Sequence, residues 1–199
     1  MKKQKVAILI YPEFSNYEIS ILAEIFKLFE KEIVVFSAEK NIVNSEEGFH
    51  FMPDKSLDEF NINEYSCLVL PGMWSFPKVL NDNRYINFLE KFRDNKDIII
   101  ASISSSPILL ARAGVLNKKK YCIGLYEEDI DKYDFLDRES ILKEPIVEFD
   151  NIITALGLAY REFAITVGQK LGLECNDNWF SGIKKSDIKK GCKFYREDI

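Results

Sequence analysis

The stretch from Asp97 to Leu116 constrains this chain more than any other. Ile98, Ile99 and Ile100 form a continuous β-branched run, the pattern of a strand buried on both faces of a parallel sheet. The chain then turns through Ser104, Ser105 and Ser106. Pro107 follows where the first turn of a helix tolerates a missing N–H. Ile108, Leu109, Leu110 and Ala111 carry that helix, and Gly114 is placed to end it. Strand, tight polar turn and helix N-terminus together make a nucleophile elbow or an anion cradle. The turn side chain stands above the sheet, where free backbone N–H groups and the helix dipole favour negative charge.

The other segments supply the sheet such an elbow needs. Val6–Ile10 reads as a buried strand ended by Tyr11-Pro12-Glu13-Phe14. Ser15 or Asn16 is placed to cap the following helix, with Glu18 in its acid-favouring first turn. Ile19, Leu22, Phe26 and Phe29, widened by Ile21, Ile25 and Leu28, give that helix a broad apolar stripe. Ile33–Phe36 predicts a strand, and Phe49–Met52 a short one ended by Pro53-Asp54. Cys67–Leu70 predicts a central strand broken at Pro71-Gly72. Tyr85, Phe88, Leu89 and Phe92 mark a helix, and Tyr121–Ile123 reads as a strand. Residues 126–142 have no clean period beyond a short helix. Ile146–Thr154 reads as a hairpin turning at Asp150-Asn151. Leu158, Ala159, Phe163, Val167 and Leu171 form a last helix closed by Gly172. Alternating strands and helices predict an α/β domain with a mostly parallel sheet and helices on both faces. Sites in such sheets lie at the carboxyl ends of strands, here Tyr11–Glu18, Pro71–Trp74 and Ser104–Ser106.

Bulk properties narrow the function classes. The chain has 199 residues, 47% of them hydrophobic and 30% charged, as expected for one globular domain over 1–175. A tail, 176–199, carries Trp179, Phe180, Phe194 and Tyr195, which suggest that it packs on the domain or on a partner in a dimer. A net charge of −5 argues against a nucleic-acid footprint, and the Lys118–Lys120 and Lys184-Lys185 clusters are short and lie among acids. The apolar run after Met1–Lys5 is too short for a signal peptide and lacks a cleavage site. No stretch approaches the roughly 18 apolar residues of a membrane span. Cys67, Cys122, Cys175 and Cys192 lack metal or redox spacing, and His50 is the single imidazole. Neither a metal site nor a cofactor is therefore expected, and a reducing cytoplasm is.

Four motifs in order resemble the ThiJ/PfpI family of the class I glutamine amidotransferase-like superfamily. They are Tyr11-Pro12-Glu13-Phe14 with Glu18, Ser66–Met73, Ser102–Pro107 followed by Leu109-Leu110 and Ala113–Leu116, and Asp150–Gly157. Together the resemblance covers most of the chain to about Leu173. It implies a flavodoxin-like three-layer sandwich and a homodimer. It also implies that Ser104 stands at the family's cysteine position and Ser105 where a histidine often follows. The family's glutamate, here Glu18, contacts the nucleophile and often holds the proton. A backbone N–H of the family's Gly-Gly pair, here Gly72-Met73, acts with that of Ser105 to stabilise an oxyanion.

Ser104 therefore has three readings: a structural turn residue, an anion-site hydroxyl, or a nucleophile. A cysteine at this position gains from the helix dipole. A serine needs a positioned base instead. His50 lies far from any such position, and Glu18 serves only if burial raises its pKa. Glu18 also reads simply as an exposed acid at a helix start. Trp74 and Phe76 are candidates to roof a pocket or to fill the core, and Tyr121 and Tyr126 are weaker ones. The favoured expectation is a site of Ser104, Glu18, Gly72, Met73, Ser105, Ser106 and Trp74 that binds a small anionic or carbonyl ligand with little thiol-type catalysis. The alternative is a hydrolase or amidase with Ser104 as nucleophile and Glu18 as proton partner. Peptidase, deglycase and glyoxalase activities of similar proteins depend on the cysteine, and no Cys-His-Glu triad for glutaminase chemistry is visible.

Overall fold

The computed structural model describes residues 5–182. Its centre is a seven-stranded sheet of β1 (Lys5–Leu9), β2 (Glu32–Ser37), β5 (Lys55–Ser56), β6 (Tyr65–Leu70), β7 (Ile99–Ile103), β8 (Ile146–Phe149) and β9 (Ile152–Ala155). The order is β5-β2-β1-β6-β7-β9-β8, parallel throughout except for β8, which pairs antiparallel to β9 at one edge. The interior strands are continuous apolar runs because both their faces are covered. Val6, Ala7, Leu9, Leu68, Val69, Ile100 and Ala101 are fully buried.

Two helix pairs supply the cover. α1 (Tyr17–Leu28) packs with α6 (Tyr160–Lys170), and α3 (Asn83–Glu90) with α4 (Pro107–Arg112). Right-handed crossovers leaving β1 and β6 in opposite directions put the pairs on opposite faces. The sheet register brings three strand ends together. Leu70 pairs with Ser102, and Ser102 with Thr154, so β6, β7 and β9 end side by side. The crevice beside β1, where the strand order reverses, opens at the same edge.

Several local expectations are met. Pro107 opens α4, and Gly114 (φ 75°) and Gly172 (φ 76°) follow helix ends in the left-handed conformation. Asp150 (φ 53°) turns the β8–β9 hairpin. Others are not met. Neither Ser15 nor Asn16 caps α1 with its side chain; the Glu47 carboxylate does so from a distance, accepting the Tyr17 N–H at 2.8 Å and the Asn16 N–H at 3.3 Å. Glu47 lies in the turn between β3 (Val43–Asn44) and β4 (His50–Phe51), and β4 is shorter than the strand expected over Phe49–Met52. Tyr121–Ile123 is not a strand. Tyr121 makes one isolated bridge to Ile141, while the Cys122 N–H is taken by the Thr154 hydroxyl at 2.9 Å. A side chain has replaced the ladder partner. Residues 126–142 hold one short helix, α5 (Glu127–Ile130), as expected. The first part of the tail docks, with Trp179 stacked on Phe29 at 6.1 Å between ring centres. Phe194, Tyr195 and Cys192 lie outside the described residues.

One core feature costs stability. Tyr65 is fully buried against Phe60 and Phe36, with ring centres 4.9 and 5.4 Å away, yet its hydroxyl has no hydrogen-bond partner among the described residues. A buried unpaired hydroxyl carries its desolvation penalty uncompensated. Tyr65→Phe is therefore expected to leave stability unchanged or raise it by up to about 1 kcal/mol. Urea unfolding checks this, and a loss above that size would mean that the hydroxyl is satisfied.

Candidate active site

The three adjoining strand ends deliver the site. Ser104, the first residue after β7, is held at φ 63°, a left-handed conformation that costs a residue with a side chain about 1–3 kcal/mol. Two backbone hydrogen bonds hold it there. Its N–H donates to the Ala155 carbonyl at the end of β9, and its own carbonyl accepts the Gly124 N–H, each at 2.7 Å. The strand, the strained serine and the helix beginning at Pro107 form the expected elbow.

Glu18 reaches this serine from α1 and is 2% exposed, so it is not a surface acid. One carboxylate oxygen accepts the Gly72 N–H at 2.7 Å, and the other lies 3.3 Å from the Tyr17 hydroxyl, which donates to it. The Ser104 hydroxyl also hydrogen-bonds the carboxyl group. Burial dominates its titration and pushes it up to about 7, against the lowering effect of the Gly72 and Ser104 hydrogen bonds. Beside it, burial and the nearby Glu18 raise the Tyr17 hydroxyl to about 12.

Two glycines allow this closeness. A β-carbon on Gly72 would stand 2.5 Å from Glu18 Oε2 and 2.6 Å from Ser104 Cβ. One on Gly157 would stand 2.8 Å from Glu18 Oε1 and 3.1 Å from Ser104 Oγ. Gly72 was legible as a site residue. Gly157 ends the Asp150–Gly157 motif, whose glycine was the available signal for its role. Gly124, whose virtual β-carbon would lie 3.0 Å from the Ser104 carbonyl carbon, had no signal beyond being a glycine between Ile123 and Leu125.

The neighbouring serines have other work. Met73 donates its N–H to Ser105 Oγ at 3.0 Å, and that hydroxyl reaches the Met73 carbonyl at 3.1 Å. Both main-chain donors of the Gly72-Met73 turn are thus engaged, one by Glu18 and one by Ser105. Ser106 is fully buried, with its hydroxyl 2.8 Å from the Leu70 and Ile103 carbonyls and 2.7 Å from Ser102 Oγ. It stitches β6 to β7 and is out of reach of a ligand. The Tyr11 hydroxyl donates to the Pro71 carbonyl and pins the same turn.

Of the aromatic candidates only Tyr126 lies with Ser104. Trp74 is 81% exposed and sits beside Glu13, Glu46 and Glu47 in a separate hollow, carried there by the turn after Met73. Phe76 packs edge-on against Tyr133, and Tyr121 is buried. His50 is exposed and bonded to Asn44, with no place at the elbow. Ser104 instead opens on a cleft of about 680 Å³. Its walls include Tyr17, Ile123, Leu125, Tyr126, Leu156 and Leu158. Arg138 lines it too, paired with Glu127 at 2.7 Å. No cluster of three or more metal-ligating side chains occurs among the described residues.

The three strand ends thus combine a strained residue between strand and helix, a buried glutamate from the first helix and a glycine turn between them. The chain belongs to the DJ-1/PfpI family, whose profile matches residues 4–169. It is similar to the "uncharacterized protease YoaZ" of Bacillus subtilis (strain 168), with 25% identity over 98% of this chain and 96% of that one. The deglycase PfpI of Pyrococcus furiosus is 28% identical over 69% of this chain and 84% of its own. Among solved structures, a DJ-1 superfamily protein from Agrobacterium tumefaciens has the same fold, with a TM-score of 0.76 at 24% identity over 94% of this chain and 95% of that one.

Two outcomes follow from the packing. Gly72→Ala is expected to cost about 1–3 kcal/mol, because the added methyl group must displace Glu18 or Ser104. Denaturant unfolding measures this, and a neutral substitution would mean that the turn yields freely. Because its pKa is raised, the folded state binds the Glu18 proton more tightly than the unfolded chain does, so protonation of the carboxyl favours folding. Its contribution is complete below the ordinary pKa of 4.5 and is lost as pH rises through about 7. Glu18→Gln should therefore match the parent in melting temperature near pH 4 and exceed it at pH 8, by up to about 3 kcal/mol in stability. Parallel melting curves across that range would show that the carboxyl is not protonated at neutral pH.

Proposed function

We propose that the protein is a member of its family that binds a small anionic or carbonyl compound in the Ser104 cleft, with little or no thiol-type catalysis. The single observation that carries this reading is the engagement of the Gly72 and Met73 amides, the first by Glu18 and the second by Ser105. A tetrahedral intermediate needs free donors aimed at its oxygen. A ground-state ligand needs less: the Ser104 hydroxyl, a Glu18 carboxyl poised between its two forms at neutral pH, and the cleft walls. Serine also gains little from a helix dipole, since its hydroxyl ionises far above neutral pH without a positioned base.

The strained backbone of Ser104 favours a second reading, because elbow strain is common at nucleophiles. In that reading Ser104 Oγ attacks an ester or amide carbonyl. Its proton passes to ionised Glu18, which returns it to the departing alcohol or amine, and water then releases the acyl group. The names of the relatives, deglycase and protease, lend this class of chemistry support. By analogy with the family we place the protein in the cytoplasm as a homodimer, without nucleic acid or a membrane as partner. In support, no described helix is long and apolar enough to cross a membrane, and the described cysteines are free and buried.

Intact mass after exposure to a fluorophosphonate, beside Ser104→Ala, separates the two. The binding reading expects no adduct on either protein. A stoichiometric adduct present only with Ser104 would overturn it and establish an activated serine.

A further inference from the structure

Glu18 is 2% exposed, so a hydrogen-bonded neighbour is needed to carry its protonation state to the cleft. Among the described residues, Gly72, Ser104 and Tyr17 bond its carboxyl. The Gly72 amide only donates, whereas the two hydroxyls donate and accept. Ser104 is fixed by the clamp on its backbone. Tyr17 is 44% exposed and lines the cleft beside Ser104.

The Tyr17 hydroxyl donates to Glu18 Oε1 at 3.3 Å. That is longer than the usual O–H···O distance of about 2.7–2.8 Å, so the bond is easily exchanged. Oε2 already takes the Gly72 amide at 2.7 Å, which leaves Oε1 as the place for an acid proton. Once protonated, Oε1 becomes the donor and the Tyr17 oxygen the acceptor. The Tyr17 O–H then turns out of the contact, towards the cleft. The rest of the residue stays in place, its amide held by Glu47 at 2.8 Å and its ring edge-on to Tyr160 at 5.9 Å. Glu46 and Glu47, from the β3–β4 turn, are the nearby charges acting on Tyr17. The buried Tyr11 hydroxyl, beside Glu18, is turned to the Pro71 carbonyl. Arg138 and Lys143 line the cleft, each paired with Glu127. Neither lining cation is free to hold a ligand oxygen, which leaves that task to the two hydroxyls.

We propose that Tyr17 is a ligand-binding residue of the Ser104 cleft whose hydroxyl takes its direction from Glu18. With Glu18 protonated it donates to a ligand oxygen; with Glu18 ionised it donates to Glu18 and offers the cleft a lone pair alone. The ligand contact rests on the binding reading of the cleft, while the turning of the hydroxyl does not.

The Fermi doublet of tyrosine in Raman spectra separates a phenol that accepts from one that donates. The difference between the parent and Tyr17→Phe isolates Tyr17 without any ligand. Its intensity ratio is expected to fall severalfold between pH 6 and pH 8, either side of the Glu18 pKa of about 7. On a Glu18→Gln background it should not move. A ratio indifferent to pH, or one that still changes with Glu18→Gln, would overturn the proposal. Acetophenone, a neutral ketone that the Glu18 charge neither attracts nor repels, probes the contact by NMR titration. The parent should bind it severalfold more tightly at the lower pH, and Tyr17→Phe equally at both. A pH preference kept in Tyr17→Phe would overturn Tyr17 as a binding residue. A parent that binds no ketone at either pH would overturn the contact and the binding reading together, whereas a fixed doublet beside normal binding would overturn the Tyr17 assignment alone.

Discussion

The site depends on a pair of backbone hydrogen bonds. The Ser104 amide is held by the end of β9 and its carbonyl by Gly124, so a residue with a side chain is kept in a conformation it would otherwise leave. That clamp exists because β6, β7 and β9 run parallel and stop at the same level. A one-residue change in the register of β9 would move the Ala155 carbonyl away from the serine. The sheet thus positions the elbow by its register as well as by burying its strands.

Glu18 shows how a fold holds an acid where water would not leave it neutral. Its helix starts under the control of Glu47, a residue from a distant hairpin, and its carboxyl is driven into the gap between Gly72 and Gly157. The hydrogen bonds from Gly72 and Ser104 favour ionisation, while burial opposes it more strongly. The result is a group balanced near neutrality beside a hydroxyl. That balance suits exchange of a proton with a ligand better than it suits deprotonating an alcohol.

Much of this was legible in the chain itself. The β-branched runs, Pro107, Gly114 and the Asp150-Asn151 turn each act through nearest neighbours, so pattern reasoning reaches them. Glu18 and Ser104 could be paired by family likeness, and the structure brings them together. The losses were long-range. The Glu47 cap, the Thr154 hydroxyl standing in for a strand partner at Cys122, and the capture of the Met73 amide by Ser105 all join residues far apart in sequence. Ser106 looked like a ligand contact because three serines in a row share one composition. Only the direction each takes from the turn separates one at the cleft, one against Met73 and one inside the sheet. Trp74 was misplaced for the same reason, since one residue of turn carries it to another hollow.

The clamp on Ser104 uses main-chain atoms alone. Whatever side chain stands there inherits the same perch above the sheet, because nothing that holds the perch in shape belongs to the side chain. Thiol, hydroxyl or methyl can be exchanged at that point without rebuilding the loop around it. A scaffold of this kind can gain or shed a reaction by a single substitution and leave the architecture of the pocket intact for another use.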